Sequence, residues 1–380
     1  MPVMYRCWAE VDLNALGENL AWLRHRVGPR VRILTVVKAD AYGHGLRQIA
    51  ALLMQSGTDI FGVANLAEAQ VVRRVGKGWP VLMLGACLPH EVHLAVRDEI
   101  MPTVSSLVEA EAFSEAAARA QKTVRLHVKV DTGMGRLGID PARAGELIEA
   151  MERLPGIQVE GVFTHFAAAE DDEAFTREQV ARFEALMQAV RERGILIPDI
   201  HASNSAALLH EPNGVANVVR PGLLVYGVIP SGKRQDVSVL SRHLRPALAW
   251  KCRVSLVKEV PAGTSLSYGR TFTTSRPTRV ATLAAGYGDG YQRAGSNRAS
   301  VLVGGRRCRV LGRITMDQML VDVTDLEATK AGDEAVLIGS QGVETITAND
   351  VAEWWGTIPW EVLTNISHRV PRVYLGGAAA

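Results

Sequence analysis

The sequence predicts a TIM-like (β/α)8 barrel followed by a mainly antiparallel β domain, an α/β fold overall. Three observations carry this. About eight short apolar runs alternate with helical stretches before residue 230, as parallel strands and their crossover helices do. Residues 231–241 are then polar, with Gly232, Lys233, Arg234 and Asp236, and read as a linker. Beyond it the apolar period shifts to two: Trp250, Cys252, Val254 and Leu256 alternate with Lys251, Arg253 and Ser255, the pattern of a half-buried antiparallel strand. The expected division is 13–236 for the barrel and 237–380 for the β domain. An open doubly wound sheet is the competing arrangement for the first part. Eight units in roughly 230 residues is the size of a closed barrel.

The elements follow in order. Residues 7–12 alternate and form a first strand outside the barrel, suited to pairing with the β domain. Barrel strands are expected at 31–37, 59–64, 80–84, 100–104, 124–130, 157–163, 200–203 and 217–220, each a short apolar run fit for burial on both faces. Helices fall between them. Residues 46–55 place Leu46, Ile49, Ala50 and Leu53 on one face, and 67–75, 91–96, 107–118, 142–153, 173–193 and 205–209 complete the set. In the second domain, 301–303 and 306–311 flank Gly304-Gly305 as a hairpin. Residues 318–323 and 334–339 read as further strands. One late helix opens at Thr347, with Asp350 three residues on, and ends at Gly356. The tail 376–380 has nothing to pack and is expected to fray.

Composition excludes several classes. The 380 residues carry 42 Lys+Arg against 40 Asp+Glu, so a formal charge of +2 leaves no footprint for nucleic acid or an anionic membrane. No apolar run approaches a membrane span; 81–88 is among the longest. The first twelve residues reach Glu10 and Asp12 without an apolar core, unlike a secretory signal. Cys7, Cys87, Cys252 and Cys308 are scattered, with no CxxC pair, which indicates neither a metal site nor a disulfide framework. A cytoplasmic protein with reduced thiols is expected.

The reactive residues gather after the barrel strands, where such barrels carry their chemistry. Lys38, Asp40, Tyr42 and His44 follow the first strand. Asp131 to Arg136 follow the fifth, and His165 the sixth. Ser203, Asn204 and Ser205 follow the seventh; Arg220, Pro221 and Gly222 follow the eighth. Alone, Lys38 would read as a surface lysine, His165 as a packing histidine and Arg220 as an ion-pair partner. Their joint placement is the signal. Lys38 closes an apolar strand, where desolvation lowers an amine's pKa and frees it for a Schiff base. Ser205 at an expected helix start, with Gly222 and Leu223, supplies the backbone donors that hold phosphate in such barrels. Lysine plus phosphate cradle points to pyridoxal 5′-phosphate. An aldolase-type barrel acting on a sugar phosphate is the rival on these grounds.

Motifs running in order through nearly the whole chain resemble the alanine racemase family. Val37-Lys38-Ala39-Asp40-Ala41-Tyr42-Gly43-His44-Gly45 looks like its pyridoxal-lysine signature. Lys129-Val130-Asp131-Thr132-Gly133-Met134-Gly135-Arg136, His201-Ala202-Ser203-Asn204-Ser205, Val219-Arg220-Pro221-Gly222, Leu266-Ser267-Tyr268-Gly269, Gly286-Tyr287-Gly288-Asp289-Gly290, Gly312-Arg313-Ile314-Thr315-Met316-Asp317-Gln318 and Arg369-Val370-Pro371-Arg372 are similar to its other motifs. The resemblance implies a homodimer using pyridoxal 5′-phosphate. It implies that Lys38 holds the cofactor and is one catalytic base, and that Tyr268 is the other. Tyr42, Ser205, Gly222 and Leu223 would bind phosphate. Arg220 would face the pyridine nitrogen, with His165 behind it. Arg136 and the backbone of Met316 would hold the substrate carboxylate. Lys129 stands where members carry a carbamate, and His201, Asn204 and Asp317 belong to the surrounding shell. Tyr268 and Met316 would enter from the partner subunit.

These roles suit racemisation. A proton must leave Cα on one face and return on the other, which two opposed bases accomplish. Lys38 would serve D-alanine and Tyr268 L-alanine. A tyrosine's ordinary pKa near 10 requires a stabilised phenolate, plausibly beside an arginine. Two positions depart from the family pattern: Thr315 replaces a common cysteine, and His368 stands where several members have a tyrosine. The expected activity is racemisation of alanine, supplying D-alanine for peptidoglycan. A serine or broad-specificity racemase, a non-catalytic pyridoxal phosphate carrier and a decarboxylase on the same barrel are the alternatives.

Overall fold

The computed structural model describes residues 5–210, 216–230, 232 and 242–377. Packing divides the chain into two compact units. One comprises Gly17–Ala41 and Gly45–Leu244; the other comprises Met1–Leu16, Tyr42–His44 and Arg245–Ala380. The expected linker, 231–241, lies outside the described residues apart from Gly232.

The first unit is a closed parallel barrel of eight strands. These are β2 (Arg32–Val36), β3 (Ile60–Val63), β4 (Val81–Ala86), β5 (Met101–Val104), β6 (Val124–Lys129), β7 (Ile157–Phe163), β8 (Asp199–His201) and β9 (Val218–Val219). Leu34 stands beside Ile60 on one flank of β2, and Ile33 beside Val219 on the other. Strand β2 therefore has partners on both sides, which an open sheet's edge strand lacks. The helices between carry the caps their sequences encode. On α2 (Leu46–Gln55), Leu46, Ile49, Ala50 and Leu53 are the buried face, as the spacing predicts. Asn65 caps α3 (Leu66–Val75) by accepting from Glu68 N. Beyond α4 (Val92–Arg97), Ser106 and Glu109 form a reciprocal capping box on α5 (Leu107–Ala120). The helices α6 (Pro141–Glu152) and α7 (Glu173–Glu192) start on Asp140 and Asp172.

Two features of this unit differ from expectation. Helix α1 (Leu13–Val27) precedes the barrel; Asp12 Oδ1 caps it, accepting from Asn14 and Ala15 N–H at 2.9 and 3.0 Å. Its buried Leu16, Leu20 and Leu23 recur at helical spacing. The helix expected from 205 is regular only over Ala207–His210, α8, while Asn204 Oδ1 accepts from Ala207 N at 3.0 Å as an N-cap does.

The second unit is built on a nine-stranded sheet. The first strand, β1 (Cys7–Asp12), lies between β10 (Leu248–Val260) and β19 (Arg372–Leu375), antiparallel to the former and parallel to the latter. Strand β10 is 13 residues long, and its register shifts between Val254 and Leu256. Its first half serves β1 and β17 (Glu334–Gln341), its second β13 (Thr278–Leu283). Between β10 and β13, β11 (Ser265–Leu266) and β12 (Phe272–Thr273) form a short ladder. The hairpin β14 (Ser300–Val303) to β15 (Arg306–Arg309) turns on Gly304 and Gly305 at φ 57° and 78°, conformations a side chain would resist. Strand β16 (Met319–Asp322) pairs with β13, and β18 (Glu344–Ile346) with β17. Helix α9 (Ala348–Trp355) has the Thr347–Asp350 capping box and ends at Gly356, as the sequence predicts. A second late helix, α10 (Pro359–Asn365), follows, opened by proline at its first position. The tail is tied further than expected: Gly377 N donates to Asn14 Oδ1 at 3.0 Å. Residues 378–380 lie outside the described residues.

Candidate active site

Strand β2 delivers Lys38 into an unusual turn. Ala39, Asp40, Ala41 and Tyr42 all have left-handed backbones, at φ 52°, 54°, 53° and 53°. An L-residue pays roughly 1–2 kcal/mol for each such conformation. Local bonds hold the turn. Glu68 Oε1 accepts from Ala39 N and its Oε2 from Ala64 N, both at 2.8 Å. Asp40 accepts twice, at its backbone oxygen from Gly45 N and at Oδ1 from Leu46 N. Lys38 is half-buried at the start. Burial lowers its pKa below the ordinary lysine value; the nearby Arg136 and Arg220 cations lower it further, against Glu68.

The centre of the barrel group is Arg220. Its Nη1 donates to His201 Nδ1 at 2.9 Å. Its Nη2 donates to Thr164 O and Ala202 O at 2.8 and 2.9 Å, and reaches His165 Nδ1 at 3.2 Å. None of these bonds uses Nε, and no carboxylate is among the partners. Burial pushes the guanidinium pKa down to about 9, which leaves it charged at neutral pH. His165, by burial and the neighbouring Arg220, Lys129, Arg136 and Lys38, is held well below the usual histidine range. His201 is stacked on Phe163, with centroids 4.6 Å apart and planes at 4°. Lys129 is buried with Nζ 4.4 Å from the Phe163 ring centre. Burial first, then Arg220 and Arg136, hold its pKa well below the ordinary value.

The loop to Arg136 is wound around one carboxylate. Asp131 Oδ1 accepts from Gly133, Met134 and Gly135 N–H at 2.8–3.1 Å. This nest turns the chain and leaves Arg136 exposed. Ser205 Oγ accepts from Gly222 N at 2.8 Å and so joins the loops after β8 and β9. Leu223 opens a 3-10 turn, Leu223–Tyr226. Tyr226 Oη donates to Val36 O, and Val36 N to Pro221 O, tying these loops to the strand that bears Lys38. Lys38, Lys129, Arg136, His165, His201 and Arg220 are thus gathered in one unit, as the sequence predicts, with Ser205, Gly222 and Leu223 in adjoining loops. Asn204 acts on the backbone, as the cap of α8.

Tyr42, Tyr268, Met316 and Asp317 belong to the other unit. Tyr42 is buried there, its carbonyl 2.9 Å from His44 Nδ1. Tyr268 and Met316 are 69% and 52% exposed, large for such side chains. Both line a cavity of about 950 Å³ together with Tyr287, Asp317, His368 and Arg369. Arg369 Nη2 donates to Asp317 Oδ1 at 2.8 Å. Arg313 lines a smaller pocket together with Tyr268. Thr315 closes the turn before Met316: its N–H and Oγ1 both donate to Gln318 O, at 2.9 and 2.8 Å. Sequence reasoning missed Glu68, Thr164 and His127. The signal for His127 was its place two residues before Lys129 on one strand, hence on the same face.

Comparisons with known proteins identify the family. Residues 11–230 match the family described as alanine racemase, N-terminal domain, and 247–374 the alanine racemase, C-terminal domain. The alanine racemase of Halothermothrix orenii is 41% identical over 97% of this chain and 96% of its own. That of Carboxydothermus hydrogenoformans is 43% identical over 97% and 99%. Among solved structures, the alanine racemase of Clostridium difficile 630 superposes with a TM-score of 0.92 at 36% identity, covering 98% of this chain and 96% of that one.

Proposed function

The chain belongs to the alanine racemase family and interconverts L- and D-alanine, and we propose that it does so with pyridoxal 5′-phosphate, Lys38 and Tyr268 acting as opposed bases. The observation that carries this is the crowd of cations around Lys38. Arg136 and Arg220 bear on its amine, and Arg220 has no carboxylate among its bonds. Such a group fits a ligand bringing a phosphate, a substrate carboxylate and a basic ring nitrogen. The lowered Lys38 pKa fits an amine that must be neutral to bond an aldehyde.

When bound, the cofactor's ring withdraws electrons from alanine's amino-bearing carbon and makes its proton acidic. Ser205, Gly222, Leu223 and Tyr42 would hold the phosphate. Arg136 and the Met316 N–H hold the substrate carboxylate. Lys38 removes the Cα proton of D-alanine and Tyr268 that of L-alanine; each returns it when the reaction runs the other way. Arg220, whose Nε is left unused by its own bonds, would face the ring nitrogen. A fixed cation there would disfavour protonation of that nitrogen and so limit transamination. Lys129, buried and with its pKa lowered by burial, Arg220 and Arg136, is suited to take up carbon dioxide as a carbamate, losing one proton.

Tyr268 and Met316, exposed in their own unit, would serve the site of a second copy in a homodimer. The product supplies D-alanine for peptidoglycan, in the cytoplasm; among the described residues no helix is long and apolar enough to cross a membrane. A broader substrate range is a second reading, favoured by His368 in the wall of the Tyr268 cavity; serine tested beside alanine decides it. The main test is Tyr268→Phe. It should retain the cofactor, read by absorbance, and lose racemisation of L-alanine by about 10²–10⁴-fold, read by optical rotation. Undiminished racemisation rejects the two-base scheme.

A further inference from the structure

We propose that His127 is a positioning residue for racemisation: it fixes the tautomer of His201 and, through it, the orientation of Arg220. The inference rests on the role given to Arg220 above. A guanidinium has N–H donors and no acceptor. Arg220 Nη1 lies 2.9 Å from His201 Nδ1, so that ring nitrogen accepts. The His201 proton is then on Nε2. This nitrogen stands 2.9 Å from His127 Nδ1, which must accept in turn. His127 therefore carries its own proton on Nε2, a buried atom with no hydrogen-bond partner among the described residues, and the relay ends there. A single donor direction runs from Arg220 through His201 to His127, among groups that are all buried. Protonating His201 on both nitrogens would set donor against donor at Arg220. Burial keeps both rings neutral, pushing the His127 pKa down to about 3 and that of His201 well below the usual range.

The fold makes room for this chain of bonds. Gly161 of β7 stands beside His127 of β6 in the barrel register. A Cβ at Gly161 would overlap the His127 ring at Nδ1. The neighbouring strand thus omits a side chain where the imidazole must lie. The Phe163 stack fixes the His201 ring plane, so His201 cannot swing to another acceptor without losing it. Removing the imidazole at 127 moves the buried unsatisfied N–H from the end of the relay onto His201, directly behind Arg220. The alternative tautomer removes that orphan, but it places a proton between His201 Nδ1 and Arg220 and breaks the bond that aims the guanidinium.

Two variants of the cofactor-loaded protein separate positioning from packing. His127→Leu fills the core without an acceptor. His127→Asn puts Oδ1 near the place of Nδ1. The readouts are kcat and KM for alanine, pyruvate released per racemisation event as the amino group passes to the cofactor aldehyde, and the ¹⁵N shifts of His201. For His127→Leu we expect kcat to fall about tenfold, the net worth of the one hydrogen bond that aims Arg220, with KM held. Its pyruvate fraction should rise, and His201 should change tautomer. His127→Asn should keep wild-type values in all three. Wild-type kcat and pyruvate fraction in His127→Leu overturn the proposal. So does wild-type protein whose His201 is protonated on Nδ1, a measurement that needs no variant to fold. Arg220→Glu is the reference: if it leaves the pyruvate fraction unchanged, the Arg220 reading fails, while the His201 shifts still judge His127.

Discussion

Ala39 holds, at φ 52°, a backbone that glycine adopts freely and alanine does not. It is exposed, so its methyl contributes little packing. Ala39→Gly should stabilise the protein by about 0.5–1 kcal/mol, the relief of steric strain less the entropy of a freer unfolded chain. A urea midpoint unchanged or lowered would contradict this. The turn survives with alanine because Glu68 and Asp40 satisfy its backbone donors. Lys38, Arg136 and Arg220 could be singled out in the sequence because each follows a strand and each matches a motif. Glu68 could not. It sits in the first turn of a helix, where acidic residues are common for reasons of the helix dipole alone, and its bond to Ala39 spans 29 residues.

At the scale of elements, the loop 286–290 decides where Met316 lies. Tyr287 N donates to Thr315 O at 3.0 Å and Gly288 N to Met316 O at 2.8 Å. A Cβ on Gly286 would overlap both carbonyl oxygens. The loop can press this closely on 315–316 only as glycine. Gly286→Ala should displace the Met316 turn, raise KM for alanine, and destabilise by about 1–3 kcal/mol as overpacking does. Steady-state kinetics and a thermal melt check this, and an unchanged KM would mean that the 286–290 loop does not hold Met316 in place. Among the elements, those with caps and clear apolar spacing were readable: α2, α5 and α9 lie where pattern placed them. Helix α1 was not read, because Asp12 ends a strand and caps a helix at once. Strand β13 was not singled out either; Arg279 interrupts its apolar side, and its guanidinium is absorbed by Leu326 O and Thr329 O.

For the whole molecule, burial of histidines couples stability to pH. His127, His165 and His201 all have folded pKa values below the unfolded 6.5. Below that pH the unfolded chain binds more protons than the folded one. Their stabilisation is therefore complete above pH 6.5 and is lost as pH falls towards the folded values, at about 1.4 kcal/mol per pH unit for each ring. Between pH 6.5 and 5 few carboxylates titrate, so the urea midpoint should drop steeply there; a flat profile would mean the rings are not buried neutral. The proposed dimer makes a separate prediction. Lys38→Ala and Tyr268→Phe, each inactive, should regain activity when unfolded and refolded together, since a mixed dimer holds one site with both native bases. No recovery would place both bases in one chain's site.

The alternation of strands and helices in the barrel, the family and the candidate site residues were legible in one dimension. Apolar period sets strand against helix, and short motifs after strands are local chemistry. Tertiary structure alone decided that the barrel closes, because closure depends on β2 meeting β9 across 185 residues of chain. It alone set the left-handed turn at Lys38, which no glycine announces, and the direction of donation from Arg220 to His127. These depend on distances and burial between residues far apart in the chain, and no local pattern carries that information.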